Sequence, residues 1–134
     1  MKKGFTLIEL LGVIVILGLI AMIAIPTINT ALNSSRDRAY DEQINTIEDV
    51  AKTYMSKNSL KLPDQTEGNN CCLSVDTLKK AGLLKADDIE NPKYKKGSTN
   101  SEENFENFNG SVIITFTNNR YKYEYKNSTC TNEC

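Results

Sequence analysis

Phe5-Thr6-Leu7-Ile8-Glu9-Leu10-Leu11-Gly12-Val13-Ile14-Val15-Ile16-Leu17-Gly18-Leu19-Ile20-Ala21-Met22-Ile23-Ala24-Ile25-Pro26 decides the architecture of this chain. From Leu10 to Ile25 every position is aliphatic, Met, Ala or Gly. With Phe5, Leu7 and Ile8 the stretch reaches roughly twenty apolar residues, about 30 Å as a helix, which is enough to cross a bilayer core. Met1-Lys2-Lys3-Gly4 before it is a short basic leader. The positive-inside bias therefore keeps the N-terminus cytoplasmic and puts the C-terminal bulk outside. One residue interrupts the run: Glu9. A carboxylate at membrane depth costs about 2.5–3.5 kcal/mol on insertion scales, which makes it a candidate functional residue.

The rest of the composition excludes more than it suggests. The chain has 134 residues, enough for one small domain. Lys and Arg total 16 and Asp and Glu 17, a formal charge of −1, with no basic excess to mark a nucleic-acid partner. There is no histidine, which excludes Ser-His-Asp and Cys-His catalysis and any His-ligated metal. The mean hydropathy of −0.40 averages an apolar first quarter with a polar remainder.

Three readings fit the apolar segment. A secretory signal peptide needs an apolar region of about 7–15 residues ending in a small-x-small cleavage site. This run is longer, carries Glu9 and ends in Ile25-Pro26. A plain membrane anchor accommodates Glu9 by letting it snorkel back to nearby headgroups. The third reading rests on Lys3-Gly4-Phe5-Thr6-Leu7-Ile8-Glu9-Leu10. This string closely resembles the processing site of type IV pilins and the related pseudopilins: a basic leader ending in Gly, then Phe-Thr-Leu-Ile-Glu.

The resemblance implies cleavage between Gly4 and Phe5 by a prepilin peptidase, then N-methylation of Phe5. It also implies an assembly role for Glu9, pairing with the N-terminal amine of a neighbouring subunit. Cation and anion attract strongly in low dielectric. Gly18 and Pro26 fall where pilins commonly carry a helix-weakening glycine and a proline. Pro26 lacks an N–H and clashes with the carbonyl of Met22, so a kink is expected. Gly18 costs about 1 kcal/mol relative to Ala. Melting between these two positions in an assembled filament is what the resemblance implies; the alternative is that both are ordinary tolerated membrane-helix residues.

Thr27 to about Asn58 contains no Gly or Pro. Tyr40, Ile44, Ile47, Ala51 and Tyr54 step by four, three, four and three, one face of a helix, with Arg38, Asp41, Glu42, Glu48, Asp49 and Lys52 opposite. The organisation read from this is a leader, 1–4, a long helix, 5–58, with its transmembrane and assembly part at about 5–28, and a small head, 59–134. Pro63 acts as breaker at the helix end. Gln65 to Asn70 reads as a loop. Ser74 to Leu84 reads as a short helix capped by Ser74 or Asp76, with Val75, Leu78 and Leu83 or Leu84 buried. This short helix, followed by a proline such as Pro92, is similar to Gram-positive pilin and pseudopilin heads. Lys85 to Asn109 carries Asp87, Asp88, Glu90, Glu102, Glu103 and Glu106. It reads as a solvated loop, since calcium-binding spacing is absent.

Ser111–Thr117 and Arg120–Lys126 flank Asn118-Asn119, a pair able to supply the positive φ angles of a two-residue hairpin turn. The register follows: Thr117 faces Arg120, Phe116 faces Tyr121, Ile114 faces Tyr123 and Val112 faces Tyr125. One face gathers Val112, Ile114, Phe116, Tyr121, Tyr123 and Tyr125, ready to cover the helix stripe. Cys71, Cys72, Cys130 and Cys134 all fall outside the membrane. Bridging adjacent cysteines strains the backbone, so two disulfides between a Cys71-Cys72 loop and the C-terminal tail are expected, in either cross-pairing. A zinc site or free thiols are the other states open to them.

The fold class expected is α+β: a long N-terminal helix packed against a head with a short helix and an antiparallel β-hairpin or small sheet. The function expected is a structural filament subunit, not an enzyme, with no cofactor and no metal. Its partners would be identical or related pilin subunits, the prepilin peptidase, the assembly platform and its ATPase, and membrane lipids before assembly. No nucleic acid is expected. A pseudopilin of a secretion or DNA-uptake machine and a non-polymerising bitopic membrane protein are the alternatives. The location expected is the cytoplasmic membrane for the precursor and a cell-surface filament after assembly.

Overall fold

The structure, a computed structural model, describes residues 3–134; Met1 and Lys2 of the basic leader lie outside the described residues. Backbone contacts divide the chain into two units, residues 1–36 and 37–134. Helix α1 (Leu7–Lys57) contributes its first part to one unit and its remainder to the other.

In the first unit α1 exposes its apolar residues on every side, from Leu7 to Leu32. A helix apolar all round is built for an apolar solvent, not for one buried face. An 18-residue window within α1 has a mean hydropathy of 2.9 with none of it buried, long and apolar enough to cross a membrane. The helix continues through Gly18 and Pro26. The hydroxyls of Thr27 and Thr30 donate back to the carbonyls of Ala24 (2.8 Å) and Pro26 (3.1 Å), which satisfies them without an outside partner.

In the second unit the rest of α1 lies against a three-stranded antiparallel sheet, β1 (Asn70–Ser74), β2 (Ser111–Thr117) and β3 (Arg120–Lys126), in the order β1-β2-β3. Ile47, Ala51 and Met55, each four residues after the last, are fully buried, with Tyr40 about two turns before Ile47 at 6% exposure. Ile44, Val50 and Tyr54 pack at the margins. The buried row thus ends on Met55, one position beyond the expected Tyr54. After α1, a single 3-10 turn covers Ser59–Lys61.

The hairpin follows its expected register pair for pair, from Thr117 opposite Arg120 to Val112 opposite Tyr125. Asn118 and Asn119 have φ of 49° and 60°, the left-handed pair that matches the twist of the flanking strands. The Glu67 carboxylate closes the turn, accepting from the Thr117 hydroxyl (2.6 Å) and the Asn118 N–H. Gly110 precedes β2 where a Cβ would collide with the backbone oxygen of Lys126. Its N–H donates to the buried Tyr125 hydroxyl (3.1 Å). Burial pushes that hydroxyl's pKa up to about 12.

Three expectations are corrected. Cys71 and Cys72 do not lie in a loop: they are the centre of strand β1, paired with Ile114 and Ile113. A five-residue strand this far from its partner in sequence is formed by the pairing, not by local propensity. The short helix α2 (Val75–Lys80) is capped at Ser74, which accepts from the Thr77 N–H (3.2 Å). It stops before Gly82, whose φ of 74° lets the Leu83 N–H reach back to the Leu78 carbonyl (3.2 Å).

The segment 85–109 is not merely solvated. Asn91, 5% exposed, donates its side-chain N–H groups to the carbonyls of Glu102 (2.8 Å) and Phe105 (2.9 Å). Phe108 is fully buried, with ring centroids 5.5 Å from Tyr40, 5.3 Å from Phe105 and 5.4 Å from Tyr125. Lys93 lies over the Tyr40 ring and pairs with Glu102 (2.6 Å) and Asp37 (3.2 Å). The bond to Glu102 raises its pKa most. The acidic residues of this segment are thus partly spent on lysines: Glu102 on Lys93, Glu103 on Lys95.

Candidate functional site

Gly4, Phe5 and Thr6 precede the helix; Leu7 is its first residue. Phe5 is 89% exposed. What starts the helix there is spelled Thr6-Leu7-Ile8-Glu9. The Thr6 hydroxyl accepts from the Glu9 N–H (3.3 Å), and Glu9 Oε2 accepts from the Thr6 N–H (2.9 Å) and hydroxyl (3.1 Å). This reciprocal pairing satisfies helix N–H groups that have no carbonyl one turn back. The carboxylate also sits at the positive end of the helix dipole. Glu9 therefore has a local role beside any intermolecular one, and the Thr-x-x-Glu spacing announces it. Both bonds use Oε2; among the described residues Oε1 accepts none.

Gly18 and Pro26 lie within α1, in the first unit. A Cβ at Gly18 would meet nothing within 4 Å, so no contact inside the chain requires glycine there. The cysteines lie in the second unit. Cys71 is joined to Cys134, with Cα atoms 5.0 Å apart, and Cys72 to Cys130, at 5.6 Å. Among the described residues no group of three or more His, Cys, Asp or Glu is placed to hold a metal ion. The head carries open grooves. One of about 620 Å³ runs beside Gln43, Thr46 and Val50 of α1 and Leu84, Ile89 and Pro92.

The chemistry thus concentrates at the N-terminus: a glycine and an exposed phenylalanine outside the helix, a carboxylate in its first turn, and an uninterrupted apolar surface behind them. A comparison with curated proteins and one with solved structures found no match. A family model described as the prokaryotic N-terminal methylation motif matches residues 1–25. The chain therefore carries, over its first 25 residues, the leader signature found on type IV pilin-like and pseudopilin precursors.

Proposed function

We propose that this chain is a structural subunit of a type IV pilus or pilus-like filament. A prepilin peptidase cuts between Gly4 and Phe5, the new N-terminus is methylated at Phe5, and the subunit polymerises through its apolar helix. The observation that carries this reading is the match over residues 1–25 on a helix whose apolar surface is exposed all round. Lys3 and the rest of the leader hold the precursor's N-terminus in the cytoplasm, with the head outside and the assembly platform, its ATPase and bilayer lipids as partners before assembly. Cleavage creates an amine at Phe5. Glu9 Oε1 is the acceptor left for the amine of a neighbouring subunit while Oε2 keeps the helix capped. Gly18 and Pro26 are proposed as the points where α1 gives way during packing.

Mass spectrometry of filaments sheared from the cell surface tests this. A mature chain beginning at methylated Phe5 is the result expected. An intact Met1 in surface material would refute processing and leave the bitopic anchor. Processed protein confined to the cell envelope, with none in sheared filaments, would mark a pseudopilin.

A further inference from the structure

The two edges of the sheet are guarded by different means. The β3 edge carries exposed Arg120, Lys122, Glu124 and Lys126, and Glu48 Oε1 accepts the outward Tyr125 N–H (2.9 Å). Charges along an edge discourage a further strand. The β1 edge, Asn70-Cys71-Cys72-Leu73-Ser74, has no charge and no proline. The C-terminal tail occupies the outward N–H and carbonyl of Cys72 and the carbonyl of Asn70. The Cys72 N–H donates to the Asn132 carbonyl (2.7 Å), the Cys134 N–H to the Cys72 carbonyl (3.0 Å), and the Asn132 side chain to the Asn70 carbonyl (2.7 Å). The tail is then bonded twice to consecutive strand residues. Successive strand side chains point to opposite faces, so Cys71–Cys134 holds the tail from the core face and Cys72–Cys130 from the outer face.

We propose that the tail is a covalently locked guard over the β1 edge, and that opening both disulfides turns this edge into a docking strand for the same edge of a second copy. The geometry favours a second copy because the edge is complementary to itself. Two β1 strands laid antiparallel about a two-fold axis at Cys72 exchange the Cys72 N–H and carbonyl reciprocally, replacing the bonds now made to Asn132 and Cys134. Opening one bridge leaves the tail attached from the other face. Opening needs an external reductant. With a water-soluble phosphine, each S–S bond takes up two electrons and two protons to give two thiols, and the phosphine becomes its oxide with oxygen from water.

The full chain in detergent, oxidised or phosphine-treated, provides the test. In dilute reduced protein, the Cys72 amide exchanges hydrogen about 100-fold faster than in oxidised protein, while the amides bonded between β2 and β3 keep their protection. At higher concentration the reduced protein, and not the oxidised, sediments with an added dimer. Asn70→Lys, an exposed substitution on the edge, abolishes that dimer. Unchanged Cys72 exchange on reduction overturns the proposal. So does collapse of protection throughout the sheet, which would make the bridges staples of the whole head. A released tail without the dimer, or a dimer indifferent to Asn70→Lys, overturns the docking role.

Discussion

Asn91→Ala distinguishes a pinned loop from a solvated one. The substitution removes three hydrogen bonds: those from the side-chain amide to the carbonyls of Glu102 and Phe105, and that from the Lys93 N–H to Asn91 Oδ1 (2.9 Å). The Asn91 backbone N–H keeps its bond to the Glu106 carbonyl (2.8 Å), so the loop loses its pins without losing its path. A net hydrogen bond contributes about 1 kcal/mol, and a buried group left without a partner costs about 1–3 kcal/mol. At 5% exposure, water cannot replace all three partners without opening the segment. Released side-chain entropy offsets part of the loss, and the head loses about 2–3 kcal/mol. Urea unfolding of the full chain in detergent, followed by near-ultraviolet circular dichroism, measures it. Every tyrosine lies at or after Tyr40, so the tyrosine bands report the second unit alone. Asn104→Ala, at an exposed site in the same segment, shifts the curve by less than about 0.5 kcal/mol. An Asn91→Ala curve that overlays the Asn104→Ala curve would refute the claim that Asn91 organises the loop.

The Tyr125 hydroxyl, with its pKa raised to about 12 by burial, makes the head sensitive to alkali. The unfolded chain ionises this group near its ordinary value of about 10, so its contribution is complete below that pH and is lost as pH rises to about 12. Tyr125→Phe flattens this loss in unfolding midpoints measured from pH 9 to 12, at a cost of about 1 kcal/mol at neutral pH for the lost Gly110 bond. Gly110→Ala drives a methyl into the Lys126–Asn127 backbone and destabilises the same urea transition by about 3 kcal/mol; a shift under about 0.5 kcal/mol would show that the backbone gives way freely. Glu9→Gln separates the two roles of the carboxylate. Glutamine still completes the cap, so helicity by circular dichroism stays unchanged. Loss of the proposed ion pair at membrane depth costs about 3–5 kcal/mol, so the yield of sheared filaments falls by more than about 100-fold. Normal yield would remove the proposed pairing.

What could be read from the residues alone is what local chemistry dictates. Asn118-Asn119 set the turn, and the turn set every pair of the hairpin. Ser74 capped the short helix it precedes. The apolar run and its one carboxylate identified the N-terminus. The remainder depends on distant partners. Strand β1 exists because residues some forty positions later lie beside it. The order of segment 85–109 comes from Asn91 and Phe108, an amide and a ring in a polar stretch whose burial no periodicity announces. The cysteine adjacency forbade one pairing, but which of the two cross-pairings forms depends on how the tail runs along β1.

The reciprocal bonds between Thr6 and Glu9 also decide what the proposed peptidase would meet upstream. By fixing the first helical residue at Leu7, they leave the Gly4–Phe5 peptide two residues outside the helix. An amide inside a helical turn has its carbonyl carbon screened by the chain winding past it; this one does not. Glycine on the acyl side adds no side chain to obstruct approach. The carboxylate proposed to serve assembly thereby sets a reading frame for the proposed cleavage: moving the Thr-x-x-Glu unit one residue toward the leader would draw the Gly4–Phe5 bond closer to the coil and slow its hydrolysis, with every residue flanking the bond unchanged.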